Sequence, residues 1–255
     1  MILPVLASLF FGGIGIAFVY ATLWPRSQIW GPLLWHGTID KREIALTFDD
    51  GPTPGVTEAI LDTLKAHQVY ATFFVIGENA RKHPAILRRI YNEGHLIANH
   101  SWDHPHHGWL GFFGYWQAQL GRTDEAIEQI IGQRPAIFRP PVGIKNCFTL
   151  AAARRLGHTT VTWSIRARDG VATDATEILR RLSHLQPGDI VLMHDGIRVG
   201  FKRDPQATIE ALPKLLASLD RRGLKAVRLD QLLNLPPYAA NFSMATNSQS
   251  AVEQR

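Results

Sequence analysis

The sequence predicts an α/β fold whose parallel strands close into a barrel, and three observations carry that reading. Apolar, strand-like runs alternate with helical patterns along most of the 255 residues. Asp49, Asp50, His100, Arg139 and His194 follow the last apolar residues of four different runs. The length suits one barrel domain. A barrel delivers the C-terminal ends of all its parallel strands to one mouth, whereas an open doubly wound sheet would spread these residues along an edge.

The first 24 residues contain no charged side chain. They predict a hydrophobic helix long enough for a bilayer core of about 30 Å at about 1.5 Å per residue. Trp24 and Trp30 fall where interfacial anchors belong. The segment reads as an uncleaved membrane anchor. A signal peptide cleaved after Ala21, giving a secreted domain, is the alternative, although its positive n-region is missing. Residues 25–42 read as a linker, in which Arg26, Lys41 and Arg42 would on charge alone favour a cytoplasmic domain. Residues 43–235 form the folded domain. The Ser/Asn/Gln-rich end predicts a disordered tail over 236–255.

Within the domain, Ile44, Ala45, Leu46 and Phe48 predict a buried first strand, stopped by Gly51 and Pro52. Further strands are predicted at 70–77, 96–99, 136–138, 159–163, 189–193 and 224–229. Helices are predicted near 56–67, from Pro84 to Gly94, over 114–131 before Gly132, and near 175–185. One more, near 208–222, should be kinked by Pro213. The charge of +5, with no basic run interleaved with aromatics, argues against nucleic acid. The single cysteine, Cys147, excludes an intramolecular disulfide and a cysteine zinc site, and reads as buried. There is no Gly-x-Ser-x-Gly and no phosphate-binding Gly loop ending in Lys-Ser/Thr.

A buried strand does not end in two neighbouring carboxylates for stability, so Asp49 and Asp50 call for a cation. His100 and His104 lie four apart, but Pro105 favours a turn over a helix there. Two histidines and one aspartate make a site with positions left open for water and substrate. Arg139, stiffened by Pro140 and Pro141, can orient a carboxylate, and His194 at a strand end can act as an acid. His106 and His107 read as solvated loop residues. His36, His67, His83, His158 and His184 read as ordinary structural positions.

Taken in order, TFDDGP, HSWDH, RPPVG, a Trp-containing strand end and LMHDG resemble the polysaccharide deacetylases with the NodB homology domain, over about residues 42–234. The resemblance implies a distorted (β/α) barrel of about seven parallel strands, behind the hydrophobic helix. It implies a metal-dependent deacetylase of N-acetylated, less often O-acetylated, sugars. It implies Asp49 as base, and Asp50, His100 and His104 as ligands of one divalent ion, Zn2+ or else Co2+, Ni2+ or Mn2+. Arg139 would orient the base and His194 would be the acid. Leu192, Val142, Pro141 and Trp163 would contact substrate, Val142 through its backbone N–H. Two departures stand out. Val142 replaces the usual aromatic, and in the fourth motif Arg166 replaces the first acid and Gly170 the tryptophan, leaving Asp169 to tune His194.

The expected partner is an acetylated cell-envelope glycan of peptidoglycan, chitin or exopolysaccharide type. The protein is expected as a monomer at a bacterial cytoplasmic membrane, its domain facing periplasm or exterior. The alternatives are a deacylase or deformylase of a lipid-linked or small acylated sugar, and a non-catalytic carbohydrate-binding relative.

Overall fold

A computed structural model describes residues 2–196 and 204–239, with side chains described from residue 12. After α1 (Ile2–Leu23), the chain forms β1 (Glu43–Asp49), α2 (Val56–Ala66), β2 (Thr72–Val75), α3 (Gly77–Lys82) and α4 (Pro84–Asn92). Next come β3 (Leu96–Asn99), α5 (Phe113–Ile131), β4 (Ile137–Phe138), α6 (Cys147–Arg155), β5 (Thr159–Thr160) and β6 (Ile165–Arg166). The last elements are α7 (Ala175–Arg181), β7 (Ile190–His194), α8 (Pro205–Arg221), β8 (Lys225–Val227) and α9 (Leu229–Leu233).

Every strand-to-strand pairing is parallel. Seven strands run in the order β5-β4-β3-β2-β1-β7-β6, and β8 pairs with the start of β1. The two ends of this path belong to one stretch of chain. β5 pairs with β4, β6 pairs with β7, and Val161 between them bridges Leu34. The distorted barrel predicted from the sequence is therefore the fold, with its seam along 159–166.

Alternation along β1 builds two apolar layers. Ile44, Leu46 and Phe48 pack outward against Phe73, Val191 and the α2 and α8 side chains Leu61 and Leu215. Ala45 faces the barrel interior with Phe74, Ile137, Val161, Ile190 and Leu192. Period two puts Thr47 and Asp49 on that interior face, which is why Asp49 reaches the mouth from inside. Fully burying a side chain such as Phe48 contributes roughly 1.5–3 kcal/mol. Helix ends follow the predicted glycines: α5 stops at Gly132, whose φ of 72° a side chain would resist.

Several expectations need correction. Cys147 is exposed, because it occupies the first turn of α6 behind the Asn146 cap, away from the core. The 25–42 segment is more than a linker. Leu33 is buried, Leu34 bridges Val161, and the Arg26 guanidinium donates to the Trp163 and Ser164 carbonyls. The predicted tail starts ordered, since Tyr238 bridges Pro135 and the Ile97 N–H donates to its hydroxyl; residues 240–255 lie outside the described residues. α8 begins at Pro205, before the expected start, and contains Pro213 within it. Among the described residues no helix is long and apolar enough to cross a membrane, so the anchor reading of residues 1–24 gains no support here. Trp30 turns back onto α1 and donates to Thr22, with its ring 5.6 Å from that of Phe18.

Candidate active site

The C-terminal ends of β1, β3, β4 and β7 converge on a cavity of about 440 Å³. Asp49, Asp50, His100, His104, Val142, Trp163, Leu192 and His194 all line it. The sequence-predicted residues are thus brought together, and Pro141, which precedes Val142, is buried.

Asp49 is 3% exposed and held by Arg139, which is wholly buried. Nη1 of Arg139 donates to Asp49 Oδ1 and to Thr47 Oγ, each at 2.7 Å, while Nη2 donates to the Thr162 carbonyl at 3.0 Å. The Phe74 ring stacks beneath the guanidinium, 3.9 Å from its carbon. Burial lowers the pKa of Arg139, and the charge and hydrogen bond of Asp49 oppose that loss. Thr47 was not singled out from the sequence, although its place two residues before Asp49 put it on the same strand face. Its hydroxyl in turn donates to the Val191 carbonyl, tying β1 to β7.

Asp50, His100 and His104 present ligand atoms all within 4.8 Å of one another. His104 Nε2 lies 3.3 Å, and His100 Nε2 3.5 Å, from Asp50 Oδ1. His100 Nδ1 lies 2.8 Å from the Arg139 carbonyl, which can only accept, so Nδ1 carries the proton and Nε2 keeps its lone pair. Burial works against ionised Asp50, but hydrogen bonding to His100 and the fields of His104, His194 and His100 hold it well below the usual carboxylate range. An ionised oxygen and bare imidazole nitrogens facing one point fit a divalent ion, with room left for water. The turn carrying both histidines is gripped from α5, where Gln119 accepts from the Trp102 N–H and Asn99, bonded to Asp124, accepts from the Ser101 N–H.

Four residues lining the cavity adopt left-handed backbone: Asp50 (φ 77°), His104 (54°), Val142 (58°) and Arg168 (56°). For the β-branched Val142 this region is especially costly, and such strain gathers at functional sites. His194 Nδ1 pairs with Asp169 Oδ1 at 2.8 Å, while Asp169 Oδ2 accepts from the His194 N–H and the Thr208 hydroxyl. Burial lowers the His194 pKa, but Asp169's charge and hydrogen bond, then Asp50 and Asp49, push it up to about 9. Thr208, on α8, left no signal in the sequence.

The sign of that shift gives a test. With its pKa raised, His194 is protonated below about pH 9 and loses the proton as pH rises through that value. A metal ion would offset the pull of Asp49 and Asp50 and leave Asp169 in control. Asp169→Asn should therefore bring the His194 imidazole resonance of the metal-free protein back toward its ordinary titration range. An unmoved NMR titration would separate Asp169 from this role.

Comparison with known proteins agrees with this geometry. Residues 36–161 match the polysaccharide deacetylase family model. A peptidoglycan-N-acetylglucosamine deacetylase of Bacillus cereus is 35% identical, over 80% of this chain and 75% of its own. A chitooligosaccharide deacetylase of Bradyrhizobium is 37% identical, over 75% of this chain and 90% of its own. Among solved structures, a peptidoglycan N-acetylglucosamine deacetylase superposes with a TM-score of 0.76 at 34% identity, over 81% of this chain and 95% of its own.

Proposed function

Since the chain belongs to the polysaccharide deacetylase family, we propose that it is a metal-dependent amide hydrolase acting on N-acetylated sugars of a cell-envelope polysaccharide. The observation that carries this reading is the convergence of Asp50, His100 and His104 beside an Arg139-held Asp49 and an Asp169-held His194. A divalent ion held by that triad, Zn2+ by the N,N,O donor set and with Co2+, Ni2+ or Mn2+ also admitted, would polarise the acetyl carbonyl and acidify a water.

The remaining steps belong to the chain's own residues. Asp49, fixed through Oδ1, takes the water proton. Leu192 and Trp163 flank the acetyl methyl, and the Val142 N–H donates to the developing oxyanion. His194, its Nδ1 held by Asp169, gives its Nε2 proton to the departing sugar nitrogen. The amide C–N bond breaks, the water oxygen stays on the acyl carbon, and acetate and a free amine leave.

Homologues named for peptidoglycan and for chitooligosaccharides support an envelope glycan substrate. Such a substrate in turn supports a domain on the outer side of the cytoplasmic membrane, against the pull of Arg26, Lys41 and Arg42 on topology. The test measures bound metal together with acetate release from peptidoglycan, chitin oligomers and a lipid-linked acetamido sugar, run on purified protein and on intact cells. Near-stoichiometric metal and release from one glycan, also outside intact cells, are expected. Tight sugar binding without metal or release would overturn the enzymatic reading.

A further inference from the structure

We propose that Arg166 and Arg168 form an anion subsite in the wall of the active-site cavity, so that the preferred acylated sugar carries a carboxylate or phosphate. The proposal deepens the deacetylase reading and rests on it. Both arginines line the same cavity as Asp50, His100, His104 and His194. Arg166 sits on β6 directly beside Leu192 of β7, at the level where the substrate acyl group is placed. Arg168 is carried by a left-handed residue, a conformation an arginine adopts only at a cost.

Neither guanidinium makes an ion pair among the described residues. The acids of the cavity are already engaged, Asp49 by Arg139 and Asp50 among the histidines. Both arginines are exposed at the cavity mouth, where partial burial of Arg166, and then the charge of Arg168, lower the Arg166 pKa. Gly170 packs closely on the acid, since a Cβ there would stand 3.1 Å from His194 Cε1, and this keeps the segment bearing both arginines against the catalytic wall. The cavity volume matches a ligand of small-molecule size, so the anion must lie on the acetamido sugar or its immediate neighbour. A guanidinium fork fits the paired oxygens of a carboxylate or phosphate, and each charge-assisted bond strengthens where water is partly excluded.

The test compares metal-loaded wild type, the Arg166→Gln/Arg168→Gln double variant and the corresponding double lysine variant. The probes are N,N′-diacetylchitobiose (neutral), the N-acetylglucosamine–N-acetylmuramic acid disaccharide (carboxylate) and N-acetylglucosamine 1-phosphate. Wild type should favour one anionic probe over chitobiose at least tenfold in kcat/KM. That ratio should fall at least tenfold in the glutamine variant, chiefly through KM, and recover in part with lysine. Added salt should erode it. Which anionic probe wins separates a carboxylate from a phosphate. Equal use of neutral and anionic probes by wild type, or an unchanged ratio in the glutamine variant, would overturn the subsite. Should no probe release acetate, the deacetylase reading fails, and calorimetric binding of the same probes still decides the subsite by the same ratios.

Discussion

Asp49→Asn is expected to cut acetate release by about 10²–10⁴-fold, the usual worth of a positioned base, while leaving bound metal unchanged. The ligand triad is untouched, so metal content reads the fold of the site and acetate reads the proton transfer. A second effect follows from burial. Arg139 is wholly buried, and Asp49 is its only carboxylate partner among the described residues. Leaving a buried charge unpaired costs about 3–5 kcal/mol, or roughly 6–20 °C in Tm for a domain of this size. Adding Arg139→Met should restore part of the Tm and none of the activity. Full acetate release by the Asp49→Asn protein would remove Asp49 from the mechanism.

The second large effect is expected at a residue that does no chemistry. A Cβ on Gly196 would overlap the Cβ and backbone of Asp50, which cannot swing aside as the end of a long side chain can. Gly196→Ala should therefore displace Asp50 and lower metal affinity by about 10–100-fold, the range seen when a ligand's supports are disturbed. Gly121→Ala supplies the control, because nothing lies within 4 Å of a Cβ there and alanine favours the helix. Titrating both proteins with Zn2+ checks the contrast, and wild-type affinity in Gly196→Ala would refute it.

The site was legible in the sequence because its residues sit at strand ends, where an apolar run stops on a polar residue. The same rule located β1, β2, β3 and β7 within a few residues. It also found β4 and β5, expected at 136–138 and 159–163, but carried β5 three residues too far and missed β6, whose two residues are held by pairing with β7 and leave no periodic pattern. α6 was missed for a related reason. Its start is set by Asn146 accepting from Thr149, while Ala151–Ala153 give little amphipathic contrast. Arg168 and Gly196 were overlooked because their importance lies in what stands opposite them in space. Arg166 and Gly170 were noticed as departures from the family pattern, but only the cavity shows that both face the same opening.

The seam along 159–166 divides the barrel mouth into two arcs of unequal freedom. One arc, β1 to β4, supplies the ion ligands, the base and its arginine, all locked to one another by hydrogen bonds. The other, from Trp163 to Val171, supplies wall residues that no metal ligand leans on. Outside Asp169, which holds the acid His194, mutations accumulating in the second arc can change which sugar fits while the hydrolytic apparatus is inherited intact. β1 borders both arcs through β2 and β7, so the strand ending in Asp49 is the hinge of that inheritance.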